Sequence, residues 1–413
     1  MRTPKSSQLN MKKILITGAN FKNKGAQSML FVAVDEIKRR CPDAQIYFGG
    51  IEKWQKGVYS FEQVYYRDYT KAIAMNNWRG INRCARTVAK DIVKTVARKG
   101  AGFSHLFDLK RLIHSIDLII DISGFNIGKQ WDVGTQEDYF DNIRLAKAFH
   151  IPMILMPQSF GPFDYDAAKR FLLDEAAALL PYPRLIFARE AESKRALEET
   201  FGLTNVELSA DMVLQSKAVT MSNIFVDPPE ITVPQILPDA VGIVPNAKCF
   251  AHGDEREILR LYREIIRLLV DSGKNVYIFK HSAGDGKLCS AIYAENKDRK
   301  NVQLLAEDFN CFEYSALVKQ FDFIVCSRYH GIVNAYRNNV PAIVLGWAEK
   351  YSELARLVRQ EQYQFDITGT IPLDDIRLAI NNMVRDSLRE RAVLRERLES
   401  IQANNCFDRI WSQ

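Results

Sequence analysis

No two of the seven cysteines (Cys41, Cys84, Cys249, Cys289, Cys311, Cys326 and Cys406) stand in a C-x-x-C pair, and their number is odd. That argues against a zinc site and a disulfide framework, and reads as a reduced, intracellular chain. The first ten residues, MRTPKSSQLN, lack the apolar centre of a signal peptide. No apolar run approaches the roughly 20 residues that span a bilayer, so any membrane contact is expected to be peripheral. The glycines form neither G-x-G-x-x-G nor a loop ending in Gly-Lys-Ser/Thr, which excludes a dinucleotide fingerprint and a P-loop. No internal repeat or low-complexity tract is present.

What remains is an ordinary soluble composition, 47% apolar and 26% charged over 413 residues. That length predicts two domains. The net charge of +6 is too modest to imply nucleic acid, and no nucleic-acid partner is expected.

Short apolar runs alternate with small-residue loops and helix-like segments along most of the chain. Strands are predicted at Lys12–Thr17, Ala44–Gly49, Ile116–Ile122, Ile151–Met156, Leu185–Ala188, Val241–Val244, Asn275–Phe279, Phe321–Val325 and Ala342–Leu345. Ser216–Ala240 carries four prolines and no steady period, so it reads as a linker. The expectation is α/β: two doubly wound Rossmann-like domains facing a cleft. Their bounds are 11–215, with a basic helical insertion at 78–111, a linker at 216–240, and 241–385. A C-terminal helix, 386–413, crosses back.

Between Trp78 and Lys99, basic residues (Arg79, Arg83, Arg86, Lys90, Lys94, Arg98) and apolar ones (Ile81, Ala85, Val88, Ile92, Val96) each recur every three or four positions. One helix with a cationic face and an apolar face fits both series. It reads either as an interfacial helix on anionic lipid or a lipid-linked diphosphate, or as a solvated surface helix.

Phe321 to Lys350 reads as strand, loop, helix, strand. Arg328 and His330 fall on the rim beyond the strand, where parallel sheets bind ligands. A guanidinium can grip a phosphate or carboxylate with two bonds, and an imidazole can move a proton near neutral pH. Equally, Arg328 can pair with a helix carboxylate and His330 can be a satisfied buried ring. Pro157-Gln158-Ser159-Phe160-Gly161-Pro162 is a second candidate cleft lining, because Pro and Gly break regular structure. Arg189 is a second guanidinium at a strand end.

These loops together resemble the polysaccharide pyruvyl transferase family. The resemblance rests on Gly18-x-Asn20, Asn23-Lys24-Gly25-Ala26, Ser123-Gly124 and Pro157-Gln158-Ser159-x-Gly161-Pro162. It continues through Ala188-Arg189-Glu190 with Ser193, Ala210-Asp211, Ser327-Arg328-x-His330-Gly331 and Lys350. The family often has Asp after the loop glycine, where this chain has Ala26-Gln27, so a role of that Asp is missing or moved here.

The resemblance implies a GT-B-like fold and transfer of pyruvyl from phosphoenolpyruvate to two hydroxyls of one sugar, giving a cyclic ketal and free phosphate. The donor would be bound by Arg189, Arg328, Lys350, Lys280 and Ser327 on cations from both domains, with the second domain as the phosphoenolpyruvate side. Asn20, Gly25, Gln158, Ser159 and Asp211 would serve the acceptor on the first. His330 would be the catalytic acid or base. No cofactor or metal is expected, phosphoenolpyruvate being a substrate. The partner is a glycan of a cell-surface polysaccharide, with an undecaprenyl-diphosphate-linked oligosaccharide as one candidate. The expected location is the cytoplasm, with the inner face of the cytoplasmic membrane open through residues 78–99. Two alternatives stand beside this reading. One is a GT-B nucleotide-sugar-dependent glycosyltransferase, against which no acidic residue is clearly placed for a ribose. The other is a non-catalytic membrane scaffold using the 78–99 helix.

Overall fold

A computed structural model describes residues 13–51, 56–77, 107–251 and 253–411. The proposed interfacial helix and most of the 78–111 insertion lie outside the described residues. From the end of that insertion, Asp108–Ile113 is a short helix.

The first lobe is a seven-stranded sheet. Its strands are β1 Lys13–Thr17, β2 Gln45–Gly50, β3 Glu62–Tyr65, β4 Leu118–Asp121, β5 Met153–Gln158, β6 Leu185–Ala188 and β7 Val206–Leu208, in the order β3-β2-β1-β4-β5-β6-β7. The second lobe is a six-stranded sheet. It holds β8 Ala240–Val244, β9 Asn275–Phe279, β10 Val302–Leu305, β11 Phe323–Cys326, β12 Ala342–Gly346 and β13 Gln364–Asp366, ordered β10-β9-β8-β11-β12-β13. All neighbouring pairs are parallel. Parallel strands with helices on both faces are buried on both sides, which is why these runs are continuously apolar and not alternating.

Strand order reverses between β1 and β4 and between β8 and β11. At the first reversal Thr17 pairs with Asp121, and at the second Val244 pairs with Cys326. Ligand crevices open at such points. Gly18, at φ +87°, allows the close crossing there, since a Cβ would lie 2.6 Å from the Ser123 backbone nitrogen.

One apolar cluster runs through both lobes. It joins Met29, Phe31 and Val32 of the helix Lys24–Arg40 to Tyr314, Ile332 and Val333 of the second lobe. Phe31 stacks on Phe312 with ring centres 5.3 Å apart. Each large side chain buried this way contributes about 1.5–3 kcal/mol, so the lobes are joined by a core and not by polar contacts alone.

The long C-terminal helix runs unbroken over Leu373–Gln402, so residue 386 lies inside it. It leads to a last helix, Cys406–Trp411, that docks on the first lobe. There Gln215 Oε1 accepts from the Cys406 N–H (2.6 Å), and Arg409 pairs with Glu207 (2.6 Å).

Several local expectations shift. Strand β5 continues through Pro157 to Gln158, although the proline predicts its end. Its register slips between Leu155 and Gln158, and such an irregularity is where a strand tolerates proline. The helix predicted from Ile332 begins at Tyr329, placing His330 in its first turn. The short edge strands β3 and β13 carry no clear pattern in the sequence.

Candidate active site between the lobes

Two helix starts meet at the junction. Asn23 caps the helix Lys24–Arg40, its Oδ1 accepting from the Gly25 N–H at 2.9 Å. Gly25 then lies against the His330 ring, and a Cβ there would come within 2.5 Å of Nδ1. His330 lies in the first turn of the helix Tyr329–Arg337, which has no side-chain cap among the described residues. Its N-terminal dipole therefore favours negative charge. The lobes are tied around this point. Lys24 pairs with Asp308 at 2.9 Å, Asn23 bridges Ser282, and Gln27 Oε1 accepts from the Cys311 N–H at 2.9 Å. On the other side, Glu353 Oε2 accepts from the Ala191 N–H at 2.7 Å, capping a first-lobe helix, Ala191–Phe201, from the second lobe.

His330 Nε2 is 3.6 Å from Asp211 Oδ2 and has no hydrogen-bond partner among the described residues. The side chain is 17% exposed. Burial lowers its pKa to about 4, with Arg189 and Lys350 acting the same way and Asp211 opposing them. The ring is therefore neutral at pH 7. His281, stacked edge-on against Tyr314 at 5.0 Å, is held neutral by burial and by Arg328, His330 and Lys24.

Asp211 joins both lobes. Its Oδ1 caps the helix Met212–Gln215 through the Val213 N–H (2.9 Å), and its Oδ2 accepts from Arg189 Nη1 (3.1 Å). Arg189 also donates to Ser159 Oγ (2.6 Å) and Glu190 Oε1 (3.0 Å), and its cation lies 4.2 Å from the Tyr329 ring centre. Burial opposes its charge, but Tyr329, Glu190 and Asp211 outweigh burial, and its pKa stands above the ordinary arginine value. Arg189 and His330 thus share one carboxylate.

Of the two guanidiniums expected to clamp the donor, each has a protein partner. Arg328 makes a two-bond pair with Asp285, one bond being Nε to Oδ2 at 2.8 Å. Asp285 comes from the loop after β9, 43 residues away in sequence. The reading of Arg328 as carboxylate-paired is the one observed. Ser327 lies in the interior, its hydroxyl 2.8 Å from Tyr262 OH and its carbonyl accepting from Asn246 (3.1 Å) and Tyr351 (3.1 Å). Lys280 donates to the Ala306 carbonyl at 3.0 Å.

Lys350 differs. Among the described residues it makes no hydrogen bond or ion pair. Its ammonium sits over Phe125 (5.1 Å), Tyr329 (5.7 Å) and Tyr351 (5.7 Å). Burial, then Arg189, lowers its pKa to about 8. Lys248, which the sequence does not single out, is a second such cation, 5.6 Å over Trp131. It is close enough to depress Lys350 further. Its one signal in the sequence is its place in the loop after β8.

The acceptor candidates divide. Ser159 and Asp211 belong to the Arg189 network, and Gly25 to the His330 contact. Asn20 is exposed and accepts from the Asn23 N–H (3.0 Å), shaping its own loop. Gln158 is fully buried, donating to the Met156 carbonyl (3.2 Å), with Oε1 unpartnered among the described residues. Behind them Asp121 holds the loops, accepting from Thr17 (2.8 Å), Asn142 (3.1 Å) and the Ser123 N–H (3.0 Å).

Two facing doubly wound lobes with a charged cleft define the GT-B-like class. Solved structures agree at the level of fold. A mutant of S. aureus TarM in complex with Fondaparinux, alpha-GlcNAc-glycerol and UDP has a TM-score of 0.55 at 10% identity, covering 97% of this chain and 98% of that one. UDP-GlcNAc 2-epimerase from Methanocaldococcus jannaschii scores 0.53 at 11% identity, covering 91% and 93%. The Neisseria meningitidis UDP-GlcNAc 2-epimerase bound to UDP-GlcNAc scores 0.53 at 13%, covering 95% and 100%. Within that class, the polysaccharide pyruvyl transferase family matches residues 23–349, and the chain belongs to it. No curated protein matches the chain in sequence. No described helix is long and apolar enough to cross a membrane.

Proposed function

We propose that this protein transfers pyruvyl from phosphoenolpyruvate to two hydroxyls of one sugar in a cell-surface polysaccharide or its lipid-linked precursor. The observation that carries this reading is the largely buried imidazole of His330, held at the lobe junction 3.6 Å from Asp211 and beside Lys350, which has no ion-pair partner among the described residues. The donor is a small phosphorylated carboxylate. Lys350, Lys248 and the uncapped start of the Tyr329–Arg337 helix supply the positive charge that it needs. Arg189 and Arg328, already paired, hold Asp211, Tyr329 and Asp285 in place.

In the reaction the methylene carbon of the donor gains a proton. The first sugar hydroxyl bonds to the adjacent carbon and loses its own proton. The carbon–oxygen bond to phosphate then breaks, its electron pair leaving with phosphate. The second hydroxyl closes the ketal and releases the other proton. A neutral His330 suits the base step on a hydroxyl. A dianion bound beside it raises its pKa, since opposite charge favours the imidazolium, and the same ring can then deliver a proton.

The test is phosphate release by the purified chain. It should require both phosphoenolpyruvate and a glycan acceptor, and it should vanish in a folded His330→Ala variant. Thermal stabilisation by UDP and not by phosphoenolpyruvate would overturn the reading in favour of a nucleotide-sugar enzyme.

A further inference from the structure

We infer that the groove running outward from Lys350 along the helix Ala191–Phe201 seats an extended, uncharged glycan at least two sugar rings long. This rests on the reading of the cleft as a pyruvyl-transfer site and specifies its acceptor.

Two cavities meet at Glu190 and Lys350. The smaller, about 280 Å³, is lined by Arg189, Asp211 and Tyr329. The larger, about 890 Å³, extends past Ser159 to Thr200. A three-carbon donor needs only a small volume, so the larger space suits the many-atom substrate. Lys350 stands where they join, a cation without an ion-pair partner among the described residues, facing both.

The groove walls have the chemistry of sugar recognition. Glu192, Arg195 and Glu199 recur at three- and four-residue spacing and so share one helix face. From Glu192 to Thr200 that face runs about 12 Å, longer than one sugar ring. Pro162 and Phe163 also line the groove, Phe163 edge-on against Phe201 of the same helix at 4.9 Å, and Phe125 lies under the Lys350 ammonium. Flat apolar surfaces take the C–H faces of a pyranose, and each carboxylate accepts from neighbouring hydroxyls with its two oxygens.

Charge sets the class. Asp164 is paired with Lys129 at 2.6 Å. Glu190 is engaged by Arg189, Ser159 and Ser193. That leaves Glu192, Glu199 and Glu349 without an ion-pair partner among the described residues. Beyond Lys350, only Arg195 opposes them among the described residues of the lining. A uronate or phosphate-bearing sugar would meet net negative charge along the outer groove.

The experiment presents the labelled full chain to an array of neutral hexose oligosaccharides, the matching monosaccharides and uronate oligosaccharides of equal length. Neutral oligosaccharides should be retained, and monosaccharides and uronates should bind at least tenfold more weakly. Glu192→Lys with Glu199→Lys should lose neutral glycan binding at least tenfold. Glu192→Gln with Glu199→Gln, which preserves size, should keep the wild-type melting temperature and narrow the gap between neutral and uronate glycans. Equal retention of uronates, equal retention of monosaccharides, unchanged binding in the lysine variant, or no retained glycan would each overturn the inference. Phosphoenolpyruvate stabilisation, read in parallel, separates the two readings. If it persists while the glycan results fail, only the groove assignment falls. If glycans bind as expected and phosphoenolpyruvate does not stabilise, the donor reading falls instead.

Discussion

Asp211 Oδ2 lies 3.6 Å from His330 Nε2 and 3.1 Å from Arg189 Nη1, so one first-lobe carboxylate spans the catalytic candidate of the second lobe and the buried guanidinium of its own. In the proposed reaction Asp211 positions His330, and the lobes must stay together for the pair to exist.

Asp211→Asn keeps a side-chain oxygen to cap the Val213 N–H but removes the charge that favours the imidazolium. kcat should fall about a hundredfold, the lower end of acid–base contributions, with a smaller change in the KM for phosphoenolpyruvate. Steady-state phosphate release measures both. An unchanged kcat would remove Asp211 from the proton path.

Donor capture should weaken at alkaline pH. Lys350 loses its charge near pH 8 in the free protein, and an uncharged amine no longer attracts a dianion. kcat/KM for phosphoenolpyruvate should therefore decline above about pH 8, since that parameter reports free-enzyme groups. Lys350→Arg keeps its charge to far higher pH and should shift the decline upward. A decline that stays at pH 8 in this variant belongs to another group.

His330 should make stability depend on pH. Its folded pKa of about 4 lies below the reference 6.5, so between those values the unfolded chain binds more protons. The neutral ring's stabilisation is complete above pH 6.5 and is lost as pH falls toward 4, a change on the order of 3 kcal/mol. His281 acts in the same direction. Urea unfolding of wild type and His330→Gln from pH 7 to 4.5 should show their stability difference changing in favour of the variant as pH drops. A difference that stays constant across that range contradicts the assignment.

Gly25→Ala sets two effects against each other. Alanine favours a helix over glycine by about 1 kcal/mol. Here its Cβ would collide with the His330 ring, and such overpacking costs about 1–3 kcal/mol. The collision wins, and it displaces the ring, so melting temperature and kcat should both fall. Gly284→Ala, where nothing lies within 4 Å of a Cβ, is the control and should leave both near wild type.

Much of the architecture was legible in the chain. Continuous apolar runs such as Ile14-Leu15-Ile16 and Ile324-Val325 mark strands covered on both faces, because only parallel sheets under helices bury every side chain. Strands β3 and β13 escaped notice because a short edge strand depends on the neighbour it pairs with more than on its own residues. Of the site, the rim position of His330 and Arg189 followed from where strands end. The partners did not. Asp285 and Lys248 carry no signal beyond their place after a strand and Glu353 none, and Pro157 marks no strand end because a register slip that accommodates it is a property of the pair β5–β6.

The residues by themselves determined the two-lobed α/β plan and the loops at the strand ends, since burial periodicity and glycine placement are local facts of the chain. Only the packed molecule decided which cations remain available. Arg189 and Arg328 meet carboxylates 22 and 43 positions away, whereas Lys350 meets aromatic rings. Charge pairing is set by proximity in space after the lobes close, and no linear spacing encodes it.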